Sequence, residues 1–407
     1  MRLPEPKIKA AILHPEEEVR GTAVSYFSGS FSQDTTIMPL VIQAVETYGR
    51  KEAFHILRAA ESLAQTQATA EWLVRELQRE YDQADCDEDN YRFAVALILY
   101  HAAPEVLLQR KESIIALPMF PDELRRPLSE RLEMLSWDWD RGWTALEALG
   151  QDTMRRGEFT LDDVRYADRI VGSLACHRVA RASSVLSLLL ANLPLFRLLL
   201  SGPARESSVL GSLHVTNPEE AKALLKWIDP LVAKLAGVMQ LESAVPRLVD
   251  RLYADNLNVH DEAITALIRI NTDAVVRAIA AEWDRADMGC RIGATDVLEH
   301  IHSELCAERC LLFLTGEKNL DIRLSLAHAV LSQLVEEGVE PVRQLVLGHD
   351  EDLTPDGFDI RYRLVVACSI MGVSFPEYKS WYKDAVANHW GLGDYRPPRL
   401  ADSFRRN

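Results

Sequence analysis

Between residues 259 and 371 the apolar positions return with the period of one helix face, and the pattern repeats. Counting from His260, Arg291, Arg323 and Arg361, apolar or small residues stand at +3, +7 and +10 or +11. They are Ala263, Leu267 and Ile270; Ala294, Leu298 and Ile301; Leu326, Val330 and Leu334; and Leu364, Cys368 and Met371. This spacing lays a single apolar stripe along a helix. Each segment opens just after Asn258, Gly289, Asp321 or Asp359, residues suited to a helix start. The reference positions lie 31, 32 and 38 residues apart, enough for two short helices per unit. A unit of that size cannot bury its apolar face alone, so its neighbours must stack on it as a solenoid.

The same pattern is legible towards the N-terminus. Pro15 with Glu16, Glu17 and Glu18 predicts a helix start, because proline fits the first turn and acids favour the positive end of the helix dipole. Arg20 and Arg92 then occupy the reference position. Helices are expected over 36–48, 51–63, 66–81 and 90–101, and from Pro104 to Pro118. Residues 137–201 break the period. Trp137-Asp138-Trp139-Asp140-Arg141-Gly142-Trp143 opens a helix there, and Thr160 with Asp163 fits a capping box. Gly202-Pro203 through Ser208 is the strongest break by turn chemistry. Regular repeats resume at Asn217-Pro218 and run to about residue 390, with a capping box expected at Ser374 to Glu377. The chain therefore divides into N-terminal helix pairs (1–136), an irregular helical unit (137–201), regular repeats (217–390) and a basic tail (391–407). No alternating strand pattern interrupts it, and the expected fold class is all-α.

The run Asp/Asn–apolar–Arg–x–x–Ala–x–x–x–Leu resembles HEAT repeats, in particular the short bacterial HEAT-like kind also seen in phycobilin-lyase-like proteins. It is clearest over 289–301, 320–334 and 358–371, and fair over 18–27 and 89–99. His260 stands where the family has Arg. The resemblance implies an α-α superhelix of the HEAT/armadillo-like solenoid type, with about nine or ten helix pairs. It also implies a structural role for Arg20, Arg92, Arg291, Arg323 and Arg361, bridging to neighbouring turns through acids such as Asp321 or Asp359. It implies no activity.

Composition narrows the function classes. The 407 residues carry a net charge of −16, which repels phosphate backbones and makes nucleic acid an unfavourable partner. Six cysteines without a CxxC, several of them on apolar faces, fit a reducing, cytoplasmic compartment. Residues 1–18 lack the apolar core of a signal peptide. The most apolar run, 185–200, contains Asn192, Pro194 and Arg197 and falls short of the roughly 20 residues that span a bilayer.

Candidate chemistry is sparse. The glycine-rich phosphate loops, HExxH and GxSxG are absent. Asp85, Asp87 and Asp89 start like a calcium loop, but Asn90 and Ala96 replace its glycine and closing glutamate, and the acids of 352–356 fit worse. His302, Cys306 and Cys310 have zinc-like spacing, yet a turn expected near Ser303 separates the histidine from the thiols. No metal, cofactor or catalytic residue is assigned. Trp137, Asp138, Trp139, Asp140 and Trp143 form the candidate binding segment, with tryptophan packing as its structural alternative. The tail, with Trp390, Tyr395, Arg396, Arg399, Phe404, Arg405 and Arg406, is expected to be extended. The expected function is a noncatalytic protein-interaction scaffold whose acidic surface takes a basic or amphipathic segment. The competing class is an enzyme on the same scaffold, either DNA-base glycosylase-like or chromophore-lyase-like.

Overall fold

The computed structural model describes residues 2–80, 88–117, 120–156, 160–176, 233–253, 257–348 and 360–387. The Gly202 to Ser208 break, the apolar run 185–200, the calcium-like run at 85–87 and the basic tail lie outside them. The described residues are helical and contain no strand; a lone antiparallel bridge joins Arg2 to Val335. The chain divides into two compact units, one formed by Met1–Leu128 with Leu298–Asn407 and the other by Ser129–Val297.

The first unit begins with α1 (Glu5–Ala11), α2 (Glu17–Gly29), α3 (Ile37–Tyr48), α4 (Arg50–Ala59), α5 (Gln67–Gln78), α6 (Glu88–His101), α7 (Pro104–Gln109) and α8 (Lys111–Ile115). Helix α9 (Asp122–Met134) leads into the second unit, which holds α10 (Trp139–Arg156), α11 (Leu161–Cys176), α12 (Val245–Arg251), α13 (Leu257–Ile270) and α14 (Asp273–Glu282). Helix α15 (Met288–His300) leads back. The first unit then resumes with α16 (Glu304–Gly316), α17 (Leu320–Ser332), α18 (Val339–Gly348), α19 (Ile360–Met371) and α20 (Tyr378–Ala387).

The helix starts follow local chemistry. Thr66 and Thr69 form a capping box on α5, Ser303 accepts from the Cys306 amide at 3.1 Å, and Asn319 accepts from the Ile322 amide at 3.2 Å. Thr160 and Asp163 cap each other as the sequence predicts. The box expected at Ser374 does not form. Helix α20 starts at Tyr378, and the Glu377 carboxylate instead pairs with Arg343 of α18 at 2.6 Å.

Every residue of the four stripes is buried. The repeat also has a backbone mark that side-chain periodicity does not reveal. Phe31, Asn271, Leu334 and Gly372 have φ of 49°, 48°, 52° and 72°. Each stands eleven residues after Arg20, His260, Arg323 or Arg361. A left-handed residue at that position ends the first helix of the pair and turns the chain towards the second.

Helices pack mostly on sequence neighbours, such as α3 on α4, α5 on α6, α10 on α11, α12 on α13 and α16 on α17. In the first unit one row runs α6, α4, α2, α19, α17, so the first helix pair of the chain lies directly against one of the last. Leu3 donates its amide to the Leu334 carbonyl at 2.9 Å in the same junction. The sequence division at 136 and 217 thus differs from the compact units. Turn signals mark where the chain bends, but not which distant helix will cover an exposed flank.

Candidate functional site

The Trp-Asp segment forms the entrance to α10. The Asp138 carboxylate accepts from the Arg141 amide at 2.8 Å, and its carbonyl accepts from Gly142 at 3.1 Å, so Asp138 acts as the helix cap. Trp137 is buried, with the Arg141 guanidinium 4.4 Å above its ring. Gly142 lets α10 approach α11 closely, since a Cβ there would sit 3.0 Å from Leu174. Trp139 is half-buried and Asp140 exposed. The side chain of Trp143 is outside the described set. Two of the candidate residues, Asp138 and Trp137, are therefore committed to building the helix start, while Trp139 stands half-buried and Asp140 exposed beside it.

Three of the five arginine positions, Arg20, Arg92 and Arg291, share one geometry. Arg20, only 1% exposed, donates to the carbonyls of His14 (3.0 Å) and Pro15 (2.7 Å), with its guanidinium 4.2 Å over the Tyr48 ring. Arg92 donates to Leu77 (2.9 Å) and Arg79 (2.7 Å) at the end of α5, and Arg291 to Trp283 (3.1 Å) at the end of α14. A cation thus neutralises the carbonyl end of the preceding helix. The resemblance implied bridging through a neighbouring acid, whereas these bonds run to the backbone. His260, the atypical member, does the same work: its Nδ1 lies 3.0 Å from the Leu252 carbonyl. Arg361 stands 5.2 Å over the Tyr362 ring, and the Nε of Arg323 is buried without a hydrogen-bond partner. Arg125, which the sequence reading passed over, donates to Leu117 (2.9 Å) and Phe120 (2.8 Å). Its signal was present, because Leu128, Leu132 and Leu135 follow it at +3, +7 and +10.

The thiols serve the same ladder. Cys290 donates to the Leu252 carbonyl at 3.2 Å, sharing that acceptor with His260, and Cys306 donates to Leu298 at 3.2 Å. Burial pushes the Cys290 and Cys368 thiols up to about 12, which keeps both protonated at neutral pH, Cys290 as a donor. Cys306 and Cys310 lie 3.9 Å apart on α16. His302 does not join them. It sits in the turn before α16, and its Nε2 lies 3.0 Å from the Tyr26 carbonyl. Among the described residues no group of three His, Cys, Asp or Glu side chains gathers with metal-binding geometry.

A polar cluster with no local sequence signature gathers around Glu299. Glu299, at the end of α15, pairs with Arg363 of α19 at 2.9 Å and accepts from Ser332 of α17 at 3.3 Å. Burial alone would raise its carboxyl, but Arg363, His300 and His328 together hold it below its ordinary value. Burial, reinforced by Arg363, pushes His328 down to about 4. Glu299, His300, His328 and Arg363 are spread over 64 positions, with no local motif to connect them.

No family model matches the chain, and no curated protein matches it. Among solved structures, an engineered protein from the Northeast Structural Genomics Consortium aligns with 92% of this chain and 100% of its own, at 13% identity and a TM-score of 0.28. A likeness that slight carries no argument about fold or role.

Proposed function

We propose that the protein is a noncatalytic interaction scaffold of HEAT-like helix pairs that binds a basic or amphipathic segment of a protein partner. The observation that carries this reading is how its polar side chains are used. The conspicuous cations, thiols and histidines cap helices or tie one helix pair to the next, and the acids exceed the bases by 16. Stacked repeats present an extended surface, and an excess of carboxylates favours a positively charged partner. The half-buried Trp139 and the exposed Asp140 supply an aromatic and an acid side by side at the start of α10, where such a segment would dock.

Native low-salt capture followed by cross-linking tests the proposal. The expected result is a protein partner whose cross-linked segment is basic, joined to residues 137–145, and released as salt screens the charges. Asp140→Asn should weaken capture without changing thermal unfolding, and Trp139→Ala should weaken it by more than its loss of stability explains. Failure to recover a partner, or a partner held equally at high salt by both variants, refutes it.

A further inference from the structure

Arg2, ahead of α1, and Tyr26 of α2 meet the turn between α15 and α16 at a small cluster built on His302. Its ring stacks on Tyr26, with centroids 3.7 Å apart and planes 6° from parallel. Arg2 donates to the His302 carbonyl at 2.6 Å and also to the Tyr26 hydroxyl. The Arg2 amide reaches Glu304 at 3.3 Å. Because a carbonyl faces Nε2, that nitrogen must carry the proton. Nδ1 is then the bare acceptor, and it is buried with no hydrogen-bond partner. A second proton would create an N–H without an acceptor beside the Arg2 guanidinium. Sequence position sharpens the point. His302 stands eleven residues after Arg291, where four other pairs have the left-handed turn residue.

We infer that Arg2, Tyr26 and His302 form a pH-sensitive clasp, which holds the N-terminal segment and α2 to the turn between α15 and α16 while His302 is neutral and releases them on acidification. The charged and titratable groups facing the clasp are Arg2 from the N-terminal segment, Glu5 from α1, Tyr26 from α2, His300 from α15 and Glu304 from α16. Burial first, then the Arg2 charge, holds His302 at about 3, against 6.5 for a free histidine. The contact is therefore at full strength above pH 6.5 and weakens as pH falls from 6.5 towards 3. Between pH 7.5 and pH 5.0 the released population should rise about thirtyfold, while most carboxylates stay ionised. Release would loosen α1 and α2, which also pack on α19, and so give acid-dependent access to that flank.

Amide exchange on the full chain at pH 7.5 and pH 5.0, corrected for intrinsic rates, tests the clasp. Protection over residues 5–29 should fall about thirtyfold at the lower pH while that over 37–101 holds. Equal loss throughout the first unit, or no loss at all, overturns the inference. His302→Phe keeps a ring against Tyr26 but has nothing to protonate, so its exchange over 5–29 should be flat with pH. A retained pH response would assign the effect to another group, such as His14 at the end of α1, and overturn it as well. If that variant fails to fold, Arg2→Met decides. Exchange over 5–29 should quicken already at pH 7.5, and the NMR titration midpoint of His302 should climb towards 6.5; an unmoved midpoint refutes the clasp.

Discussion

Replacing Arg20 with methionine keeps the aliphatic stem but removes two charge-assisted bonds, to the His14 and Pro15 carbonyls, and the cation above Tyr48. Each such bond contributes about 1.5–3 kcal/mol, and the stacked cation up to about 2 kcal/mol when desolvated. Against this, methionine avoids the cost of holding a guanidinium at 1% exposure, which is several kcal/mol. The orphaned carbonyls lie at the chain's entry to α2, where relaxation admits some water. The net loss should be about 3 kcal/mol. For a cooperative unit of 150–250 residues that lowers the unfolding midpoint by about 6–12 °C. Differential scanning calorimetry on the full chain, with Arg323→Met as the comparison, measures it. Arg323 has a buried Nε without a partner, so its loss should cost only about 1 kcal/mol. An Arg20→Met midpoint within a degree of the parent would mean that water serves these carbonyls equally well, and the capping argument would fall for the whole ladder.

Other outcomes follow from the same geometry. Gly237→Ala would place a Cβ 2.4 Å from the Ala266 Cα, a backbone atom that cannot swing aside, so urea stability should drop by about 3 kcal/mol; an unchanged midpoint would show that α13 is free to shift. His328 is held at about 4 beside Arg363, so it should add about 2 kcal/mol to the loss of unfolding stability between pH 7.5 and pH 5, a share that His328→Phe should remove while the share due to His302 remains. Asp138→Ala should cost about 1 kcal/mol through the lost α10 cap, yet leave partner capture intact; reduced capture with unchanged stability would make Asp138 a contact instead.

Much of the fold is legible in sequence because the repeat is a local rule. The stripe after each cation, the acids after Pro15 and the Thr160–Asp163 pair act within a dozen residues, and each appears in the structure where the pattern puts it. Arg125 shows that the same rule reads further than it was applied. What stayed hidden depends on distant pairing. Tyr26 and His302 are 276 positions apart, and nothing near His302 distinguishes a ring stacked on tyrosine from a metal ligand. The partners of the arginines were hidden for a different reason. A cation beside an aspartate reads as an ion pair, while a carbonyl acceptor belongs to the backbone and leaves no mark in the side-chain alphabet.

The junction of α1 and α2 with α19 also sets a timetable for biosynthesis. Chains grow from the N-terminus at about 5–20 residues per second, so the roughly 340 residues between α2 and the completed α19 take on the order of 15–70 seconds to appear. Throughout that interval α2 has α4 on one flank and bare apolar surface on the other. Long-range closure of this kind is slow, and the waiting flank invites premature association. A nascent chain halted before residue 360 should therefore engage chaperones through α2, and should let go of them only once α19 has emerged to take its place.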